Sequence, residues 1–509
     1  MASPSHLCTR LEESARRFPE RLAVADADGG AFTYSELNRV ADAIGGYLAE
    51  QGIVPGDRVG LVLPKSVMAY ALLFGIMKAR AAYVPADWTN PPDRIAQILN
   101  NCQVRLVFAD SRKAAIENVD SPVVSVDQAS FASLAAHAPL ASKAAERRAD
   151  DLAYILHTSG SSGIPKGAML TQENVVSFVA WGADSFDVTE EDRFGNHAPI
   201  HFAISVFDLF VPILRGGSVH LVPTDLGKDP KGLARFISQS RLTVWYSTPA
   251  ILRLLTDLGD MPQLDMTSLR LVLFAGEPFQ IPALRRLAEM LPKVELYNLW
   301  GSTETNACTS MQIPRPIPET RLEPYPIGRV GSHCKALLLD EEGQPAAPGQ
   351  EGLLHLSGPP VFRGYWGLDG SNFVVRDGIR WHNTGDVVRE SPDEELVYVG
   401  RRDRRVKRHG YRIELAEVER GLLRHAAIAE AAVIALPDRT AGCKVSAILV
   451  AKTEPPPSII ELKTHCNANL PNYMNPDVFM FLAALPRTSS NKVDYQSLIR
   501  KSQAEFGTL

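Results

Sequence analysis

The stretch 154-YILHTSGSSGIPKGAML-170 concentrates glycines, small hydroxyl side chains and one lysine within a few residues. Glycines let backbone N–H groups approach phosphate oxygens closely, hydroxyls add donors, and a lysine supplies positive charge. A branched apolar run precedes these residues, and a helix-like segment, 171-TQENVVSFVAWG-182, follows them. The spacing therefore predicts a loop that binds a polyphosphate between a strand and a helix.

This loop differs from the phosphate loop of P-loop kinases and GTPases. In that motif, G-x-x-x-x-G-K-[ST], the lysine lies between a glycine and a hydroxyl residue. Lys166 instead follows Pro165 and precedes Gly167, so those classes are disfavoured. The loop alone leaves one alternative open, a flexible Gly/Ser turn at the surface.

The segments around the loop predict the fold that must hold it. Branched apolar stretches alternate with amphipathic ones, a pattern typical of α/β layers with largely parallel strands. The Ala-rich residues 129–151 are interpreted as a surface connection. After about Leu322, dense turns and short strands indicate a β-rich unit, and mixed signals follow in the last segment. We expect an α/β protein with domains at 1–402 and 403–509. Candidate strands are 58–64, 104–110, 152–158, 218–222, 243–247 and 270–276, and candidate helices are 35–52 and 282–292.

Composition excludes several classes of protein. The formal net charge of −5 lacks the basic footprint of a nucleic-acid binder. The longest apolar runs, such as 69–77, are much shorter than the roughly 20 residues of a membrane span, and the N-terminus has no signal-peptide core. The six cysteines are scattered without a C-x-x-C pair. That spacing argues against a disulfide framework or a zinc site and favours the cytoplasm.

The loop at 158–167 resembles the phosphate loop of the adenylate-forming enzymes, which include acyl- and aryl-CoA ligases, luciferases and peptide-synthetase adenylation domains. Further segments resemble that superfamily's motifs, in the same order and along nearly the whole chain. Several of them are most similar to free-standing amino-acid adenylation enzymes. These segments are 32-FTYSELN-38, 77-MKARAAYVPADWTNPPDRIAQIL-99, 297-YNLWGSTET-305, 352-GLLHLSG-358, 363-RGYWG-367, 382-HNTGDVV-388, 400-GRRDRRVKRHGYRIELAEVE-419 and 485-LPRTSSNKVDY-495.

The resemblance implies that ATP and a carboxylic acid form an acyl-adenylate and pyrophosphate. Because an anion must attack a polyanion, the site must neutralise charge and align the partners. It implies that Glu304 holds Mg²⁺ and that Thr303, a catalytic residue with Glu304, contacts the α-phosphate. The residues implied to hold the β- and γ-phosphates are Thr158, Ser159, Gly160, Ser161, Ser162, Gly163 and Lys166.

The resemblance also implies how the nucleoside is held. Trp300, at a position where most relatives have Tyr, would stack on adenine, and Asn298 would contact the adenine edge. Asp386 would accept hydrogen bonds from both ribose hydroxyls, with Arg401 as a second ribose contact. A core role for Trp300 and a local turn-capping role for Asp386 remain alternatives.

The C-terminal domain is implied to be mobile. Lys492 resembles the catalytic lysine that reaches the carboxylate and the α-phosphate, where an ammonium can bridge two oxyanions. Asp403 matches the hinge position at which the family's small domain rotates between two half-reactions. The basic run 404–409 would face an acidic carrier protein, with a solvated charged strand as the alternative.

The acid pocket departs from the pattern of α-amino-acid enzymes. Those relatives commonly read F-D-x-S-V, whose Asp pairs with the substrate ammonium, but here Ala203 occupies that position. A buried ammonium without a partner is costly, so we infer that the acid lacks a free α-amino group or carries it elsewhere. Asp208 is a candidate substitute counter-ion, but relatives often carry an acid at this position, so a role unrelated to the substrate remains the alternative. The residues aligned with the pocket are His201, Phe202, Ala203, Ile204, Phe207, Leu273, Ala275, Leu299, Ala307 and Cys308.

Three functions therefore compete. The first is activation of a small carboxylic or amino acid and its transfer to the phosphopantetheine thiol of a separate carrier protein, in natural-product biosynthesis. A separate carrier is expected because no carrier motif follows Lys492. The second is an acyl- or aryl-CoA ligase, and the third is a non-catalytic nucleotide-binding module. Retention of Lys166, Glu304, Asp386 and Lys492 together argues against the third.

Overall fold

The computed structural model describes residues 6–113, 116–140, 146–158, 165–368, 372–401, 405–438, 441–487 and 493–506. The chain divides into two compact units. The first comprises Met1–Trp88, Leu99–His157 and Gly167–Arg402, and the second comprises Thr89–Ile98, Thr158–Lys166 and Asp403–Leu509. No helix within the described residues is long and apolar enough to cross a membrane. The functions predicted for the two domains stay predictions.

The largest sheet has nine strands in the order β15-β14-β13-β12-β11-β9-β10-β1-β2. The six central strands, β13, β12, β11, β9, β10 and β1, pair in parallel with one another. Strand β2 is antiparallel at one end of the sheet, and β14 and β15 are antiparallel at the other. The strands are β1 Leu22–Asp26, β2 Ala31–Thr33, β9 Arg193–Asn196, β10 Ser218–Leu221, β11 Val244–Ser247, β12 Leu271–Phe274, β13 Glu295–Ser302, β14 Asn306–Gln312 and β15 Arg329–Val330.

A second sheet has seven strands in the order β18-β8-β7-β4-β3-β5-β6. Strands β3, β4, β5, β6 and β7 pair in parallel, as their continuous apolar sequences predict, and β18 pairs antiparallel with β8. The strands are β3 Arg58–Val62, β4 Ala82–Pro85, β5 Leu106–Asp110, β6 Val123–Val126, β7 Leu152–Thr158, β8 Lys166–Thr171 and β18 Gly364–Tyr365.

Helices between these strands begin at side-chain caps. Thr33 and Thr171 each cap a helix with a reciprocal capping box, and Ser66 caps the almost wholly buried α3. The helices are α1 Leu7–Arg17, α2 Tyr34–Glu50, α3 Val67–Lys78, α4 Pro92–Asn101, α5 Gln128–Ala135, α6 Gln172–Ser185, α7 Ser205–Phe210, α8 Pro230–Gln239, α9 Pro249–Leu258 and α10 Ile281–Met290.

The expected β-rich unit is a five-stranded antiparallel sheet in the order β16-β17-β20-β19, with β21 also paired to β20. Its strands are β16 Lys335–Leu339, β17 Glu351–Ser357, β19 Phe373–Arg376, β20 Ile379–Glu390 and β21 Leu396–Arg401. The predicted α/β class and the β-rich unit are therefore confirmed.

The second compact unit contains a two-stranded ribbon and a three-stranded sheet. Its own apolar core includes Ile413, Val433 and Leu462, so the predicted small α+β domain is confirmed. The elements are β22 Arg405–Arg408, β23 Tyr411–Glu414, β24 Ile428–Asp438, β25 Gly442–Ala451, β26 Val478–Phe481, α11 Leu415–Leu423, α12 Ile459–Asn469 and α13 Tyr495–Phe506.

Two segments differ from expectation. The Ala-rich connection contains helix α5, which begins at a capping box between Asp127 and Ser130. Residues 405–408 of the basic run form strand β22, where Arg405 pairs with Glu414 and Arg408 pairs with Asp477. These ion pairs neutralise two of its cations, so the run offers less positive charge to a partner than the sequence suggests.

Candidate active site

Several of the predicted site residues follow the carboxyl ends of parallel strands. In the seven-stranded sheet these ends precede Lys65 and Asp87, and in the nine-stranded sheet they lie at Asn196, Ser247 and Phe274. Ligands of open α/β sheets bind at this edge because the loops there diverge and leave a crevice. His201 and Ala203 follow β9 at this edge and Thr303 and Glu304 follow β13, whereas Asp386 and Arg401 lie on the antiparallel strands β20 and β21.

Two side chains connect the edges of these sheets. Lys65 Nζ donates to the carbonyl oxygens of Asn196 and His197, at 2.9 and 2.7 Å. His201 Nε2 lies 3.7 Å from Asp87 Oδ2. Burial lowers the pKa of His201, and the carboxylate of Asp87 opposes that shift. The segment that carries the predicted pocket is therefore tied to both loops.

Glu304 lies in the turn between β13 and β14 and is 1% exposed. Tyr365 Oη donates to Glu304 Oε1 at 2.5 Å. The backbone also fixes this residue, because Phe362 N donates to Glu304 O at 2.8 Å. A buried carboxylate held by a phenol and by the main chain is a suitable ligand for a hard cation such as Mg²⁺.

Tyr365 itself is positioned by the strand that follows the glycine-rich loop. Strand β18 pairs with β8, with Tyr365 opposite Ala168, and Trp366 N donates to Gly167 O at 2.8 Å. The carboxylate of Glu304 is therefore linked, through one hydrogen bond and one strand pair, to the exit of the predicted phosphate loop.

Asp386 and Arg401 are neighbours across the antiparallel strands β20 and β21. Arg401 Nη1 donates to Asp386 Oδ1 at 2.5 Å, and Arg401 Nη2 donates to Thr384 O at 3.0 Å. Asp386 is 3% exposed and lies on a strand, and its backbone N donates to Thr384 Oγ1 at 3.1 Å. The structure thus brings together the two residues predicted to bind ribose.

Trp300 and Asn298 lie on the same face of β13 because side chains alternate along a strand. Asn298 Nδ2 donates to Pro326 O at 2.9 Å. Trp300 is 5% exposed and belongs to an apolar cluster with Leu354 and Val388. The structure gives Trp300 the surroundings of a core side chain, and its stacking on adenine stays a prediction.

The phosphate-loop residues are only partly described. Thr158 ends β7, and its buried Oγ1 has no hydrogen-bond partner within the described part of the chain. Lys166 begins β8 and is half-buried, and Thr303 is half-buried in the turn before Glu304. An unpaired buried hydroxyl before the loop fits a ligand oxygen. The predicted residues Ser159, Gly160, Ser161, Ser162, Gly163, Asp403 and Lys492 lie outside the described residues.

Most of the residues predicted to line the acid pocket belong to the large apolar core of the first compact unit, and their contact with an acid stays a prediction. Leu273 and Ala275 follow each other on one face of β12 and its extension, and Leu299 lies on neighbouring β13. Phe207 packs on Tyr246 with ring centroids 5.5 Å apart. The predicted residues in this apolar cluster are Ala203, Ile204, Phe207, Leu273, Ala275, Leu299 and Ala307.

The remaining predicted pocket residues lie in different surroundings. Cys308 is buried in the cluster that contains Trp300, on the other side of β14 from Ala307. His201 and Phe202 are half-buried in the turn before α7.

Asp208, on helix α7, is 1% exposed. Its Oδ2 accepts a long 3.5 Å hydrogen bond from Asn196 Nδ2, and its Oδ1 has no hydrogen-bond partner within the described ranges. Burial raises the pKa of Asp208 well above its usual range, and the nearby Lys65 opposes this shift. Asp208 is thus an under-paired acid beside the predicted pocket.

Burial also shifts the pKa of other ionisable groups at this edge toward the neutral form. Desolvation lowers the pKa of Lys65 to about 7 and that of His197 to about 4. Neither group has a carboxylate within ion-pair distance in the described structure. The region around the predicted acid pocket therefore disfavours a charged substrate group that has no counter-ion.

Several site residues were missed by sequence reasoning. Tyr365 was inside the motif 363–367, but nothing in the spacing pointed to a bond with a residue 61 positions earlier. Lys65 follows the predicted strand 58–64, and that position could have marked it as a candidate. Asp87 follows β4, which was not among the predicted strands.

Comparison with known proteins identifies the family. Residues 11–366 match the AMP-binding enzyme family, and residues 417–492 match the AMP-binding enzyme C-terminal domain. The chain belongs to the AMP-binding enzyme family. It is an adenylate-forming ligase, as the order of its motifs predicted.

Two relatives are similar along nearly their full length. An L-proline–[L-prolyl-carrier protein] ligase of Pseudomonas fluorescens is 36% identical over 501 residues, which cover 97% of this chain and 98% of that protein. A ligase of the same name from Streptomyces coelicolor is 37% identical over 521 residues, covering 98% of this chain and 96% of that protein.

Solved AMP-binding structures have the same fold. An NRPS protein with adenylation and PCP domains, bound to a vinylsulfonamide inhibitor, is 26% identical with a TM-score of 0.84, covering 97% of this chain and 84% of that one. IdnL1 is 27% identical with a TM-score of 0.81, covering 95% and 99%.

Proposed function

We propose that this enzyme activates a small acid of the size of proline and transfers it to the phosphopantetheine thiol of a separate carrier protein. L-Proline is the first candidate. The observation that carries this proposal is the similarity to two L-prolyl-carrier protein ligases along nearly the whole chain.

The first half-reaction needs charge neutralisation and alignment. The acid's carboxylate oxygen attacks the α-phosphorus of ATP, the bond to the bridging oxygen breaks, and pyrophosphate leaves with that electron pair. A Mg²⁺ ion bound with ATP would neutralise phosphate charge. Glu304, held by Tyr365, is proposed to ligate it, and Thr303 to contact the α-phosphate. Asp386 would accept from the ribose hydroxyls while Arg401 holds its carboxylate in place.

The remaining functional assignments concern residues of the second compact unit and residues outside the described ones. Thr158, Lys166 and the glycine-rich loop are proposed to bind the β- and γ-phosphates. Lys492 is proposed as the lysine that approaches the carboxylate and α-phosphate, and Asp403 as the hinge. In the second half-reaction the carrier thiol attacks the acyl carbon and AMP leaves.

The amino group of proline is the difficult point. Ala203 offers no charge, so a secondary ammonium must find another partner. Asp208 has a buried carboxylate oxygen without a hydrogen-bond partner among the described residues. We propose that it supplies the negative charge if the substrate is an amino acid. An acid without an α-amino group is the second candidate, favoured by Ala203 itself.

Acid-dependent ATP–pyrophosphate exchange tests these two candidates. The panel contains L-proline, pyrrole-2-carboxylate and cyclopentanecarboxylate, which share a five-membered ring but differ in the charge on it. We expect exchange with L-proline and loss of that exchange in Asp208→Asn. Exchange confined to the uncharged acids would reject proline, and no exchange with any amino, aryl or short acyl acid would favour the non-catalytic module.

The acceptor requires a separate experiment. Holo-carrier protein and CoA are supplied in parallel after adenylate formation, and thioester is measured by mass spectrometry. Thioester on the carrier protein supports the proposal, whereas thioester on CoA alone would identify an acyl- or aryl-CoA ligase.

A further inference from the structure

Outside the predicted catalytic groups, three metal-ligating side chains meet beside the acid pocket. One ligand atom from each of Cys308, His333 and Cys334 lies within 4.8 Å of the others. The sequence concealed this cluster, because Cys308 is far from the adjacent pair His333-Cys334 and no C-x-x-C spacing is present. The expectation that a zinc site is disfavoured rested on spacing alone.

We propose that Cys308, His333 and Cys334 form a binding site for a thiophilic divalent cation, for which Zn²⁺ is the best match. Two sulfurs and one imidazole nitrogen are a donor set typical of zinc, and hard cations such as Mg²⁺ prefer oxygen. In a tetrahedral zinc site the donor atoms are about 3.5–3.8 Å apart. The cluster therefore needs to contract by only about 1 Å to close on an ion.

The backbone holds the donors in place without a metal. Gly331 N donates to Cys308 O at 2.8 Å, and Cys334 N donates to Gly331 O at 3.1 Å. This turn, Gly331–Cys334, therefore stays next to strand β14. A rigid turn against a strand lowers the ordering cost of binding an ion.

The histidine tautomer also suits a ligand. His333 Nε2 lies 3.0 Å from Ala307 O and must carry the proton to donate to that carbonyl. The lone pair is then on Nδ1, a buried atom without a hydrogen-bond partner in the described chain. Metal-ligating histidines commonly donate their second N–H to a carbonyl in this way. Trp181 stacks on the ring at a centroid distance of 4.5 Å and fixes its plane.

Charge balance favours the bound state in this buried place. Binding releases one proton from each thiol, and two thiolates with one divalent cation form a neutral group. A neutral complex avoids the desolvation cost that an isolated buried ion would meet. Each proton passes to solvent, and no electron transfer is involved.

The location gives the site a consequence for the pocket. Ala307, whose carbonyl orients His333, belongs to the apolar cluster of the predicted acid pocket, and Cys308 is the next residue. A bound ion would hold this strand segment in one position. The described part of the chain supplies three donors, so a tetrahedral ion here would take its fourth ligand from elsewhere.

Cobalt binding to the full-length, reduced enzyme tests the proposal. Co²⁺ is titrated anaerobically, and the thiolate-to-cobalt charge-transfer band is followed, with Zn²⁺ then added to displace it. We expect one equivalent per chain. Absence of the band in the folded enzyme would overturn the proposal.

Variants locate the site. His333→Gln and Cys334→Ser should each weaken binding about 10- to 100-fold or more, the effect expected even for loss of an outer-shell partner. Cys466→Ser is the matched control, because Cys466 is a buried free cysteine in the second unit, and it should bind as the wild type does. A band unchanged in His333→Gln and Cys334→Ser would contradict the assignment.

A wild-type measurement covers the case in which a cysteine variant fails to fold. X-ray absorption of the zinc-loaded enzyme should show two sulfur ligands and one nitrogen ligand from the protein. A first shell of oxygen and nitrogen atoms alone would overturn the proposal.

Discussion

The residues proposed to bind the nucleotide (the nucleotide side) and those proposed to bind the acid (the acid side) treat charge in opposite ways. On the nucleotide side, buried acids are already paired, Glu304 with Tyr365 and Asp386 with Arg401. On the acid side, one oxygen of Asp208 has no hydrogen-bond partner among the described residues, and burial lowers the pKa of Lys65 to about 7. The nucleotide side therefore contains paired charges, and the acid side disfavours charged groups.

This difference separates what is common to the reaction from what is specific to the substrate. Every adenylation uses the same nucleotide, so its side can be preorganised by strand pairing and hydrogen bonds. The substrate acid varies between enzymes. An apolar binding region can be changed by a single substitution, such as the Ala203 that stands here where relatives commonly have Asp. We therefore expect substitutions on the nucleotide side to affect all acids equally and those on the acid side to change their ranking.

The largest effect is expected from Glu304→Gln. Loss of the charge proposed to hold Mg²⁺ should lower exchange about 10²- to 10³-fold, as loss of one transition-state contact does. Pyrophosphate exchange across a Mg²⁺ titration measures it. Tyr365→Phe should cost less, because it removes only one hydrogen bond to the same carboxylate. Glu342→Gln, an exposed control, should leave the rate unchanged. Full activity of Glu304→Gln would show that Glu304 does not take part in catalysis.

A smaller loss is expected from Asp386→Asn. A hydrogen bond to a charged group contributes about 1.5–3 kcal/mol, which corresponds to a KM for ATP raised about 10- to 100-fold. The effect should be equal for every acid, because the ribose contact does not involve the acid. Steady-state kinetics with varied ATP measures it, with Asp340→Asn as the control. An unchanged KM would leave Asp386 with a structural role through its bond to Arg401.

Sequence motifs anticipated contacts between paired strands better than contacts between distant loops, for a physical reason, and the roles of the site residues stay predictions. Asp386 and Arg401 lie in short motifs, and strand pairing brings the two motifs together. The bond between Tyr365 and Glu304 and the cluster of Cys308 with His333 depend on loops that meet across long sequence separations. The short helix α5 was not predicted, because an Ala-rich composition is also compatible with a surface connection. The capping box of Asp127 and Ser130 is the local sequence signal for this helix.

The acid side can be tested by adding charge with Ala203→Asp. If residue 203 faces the acid, the new carboxylate should favour a substrate ammonium and disfavour an uncharged ring. The exchange-rate ratio of L-proline to cyclopentanecarboxylate should rise about tenfold, since a buried unpaired polar group costs about 1–3 kcal/mol. Ala132→Asp on exposed α5 is the matched control. A ratio that stays at the wild-type value would show that residue 203 does not contact the acid.

The smallest effect concerns stability and follows from the neutral groups around the large sheet. Burial lowers the pKa of His197 and of His220 from 6.5 to about 4. Below pH 6.5 the unfolded chain therefore binds protons that the folded protein does not. The contribution of these two histidines to the free energy of unfolding is therefore complete above pH 6.5. It is lost as the pH falls toward 4, by at most about 1.4 kcal/mol per pH unit for each histidine.

Thermal unfolding between pH 7 and 5 measures this loss. His220→Gln should make the decline of the melting temperature shallower, because one proton-linked group is removed from the folded core. His409→Gln, at an exposed position of the second unit, should reproduce the wild-type slope. If His220→Gln keeps that slope as well, burial of uncharged imidazole does not govern acid stability. The contrast between the charged nucleotide side and the apolar acid side would then affect ligand binding and not the stability of the protein.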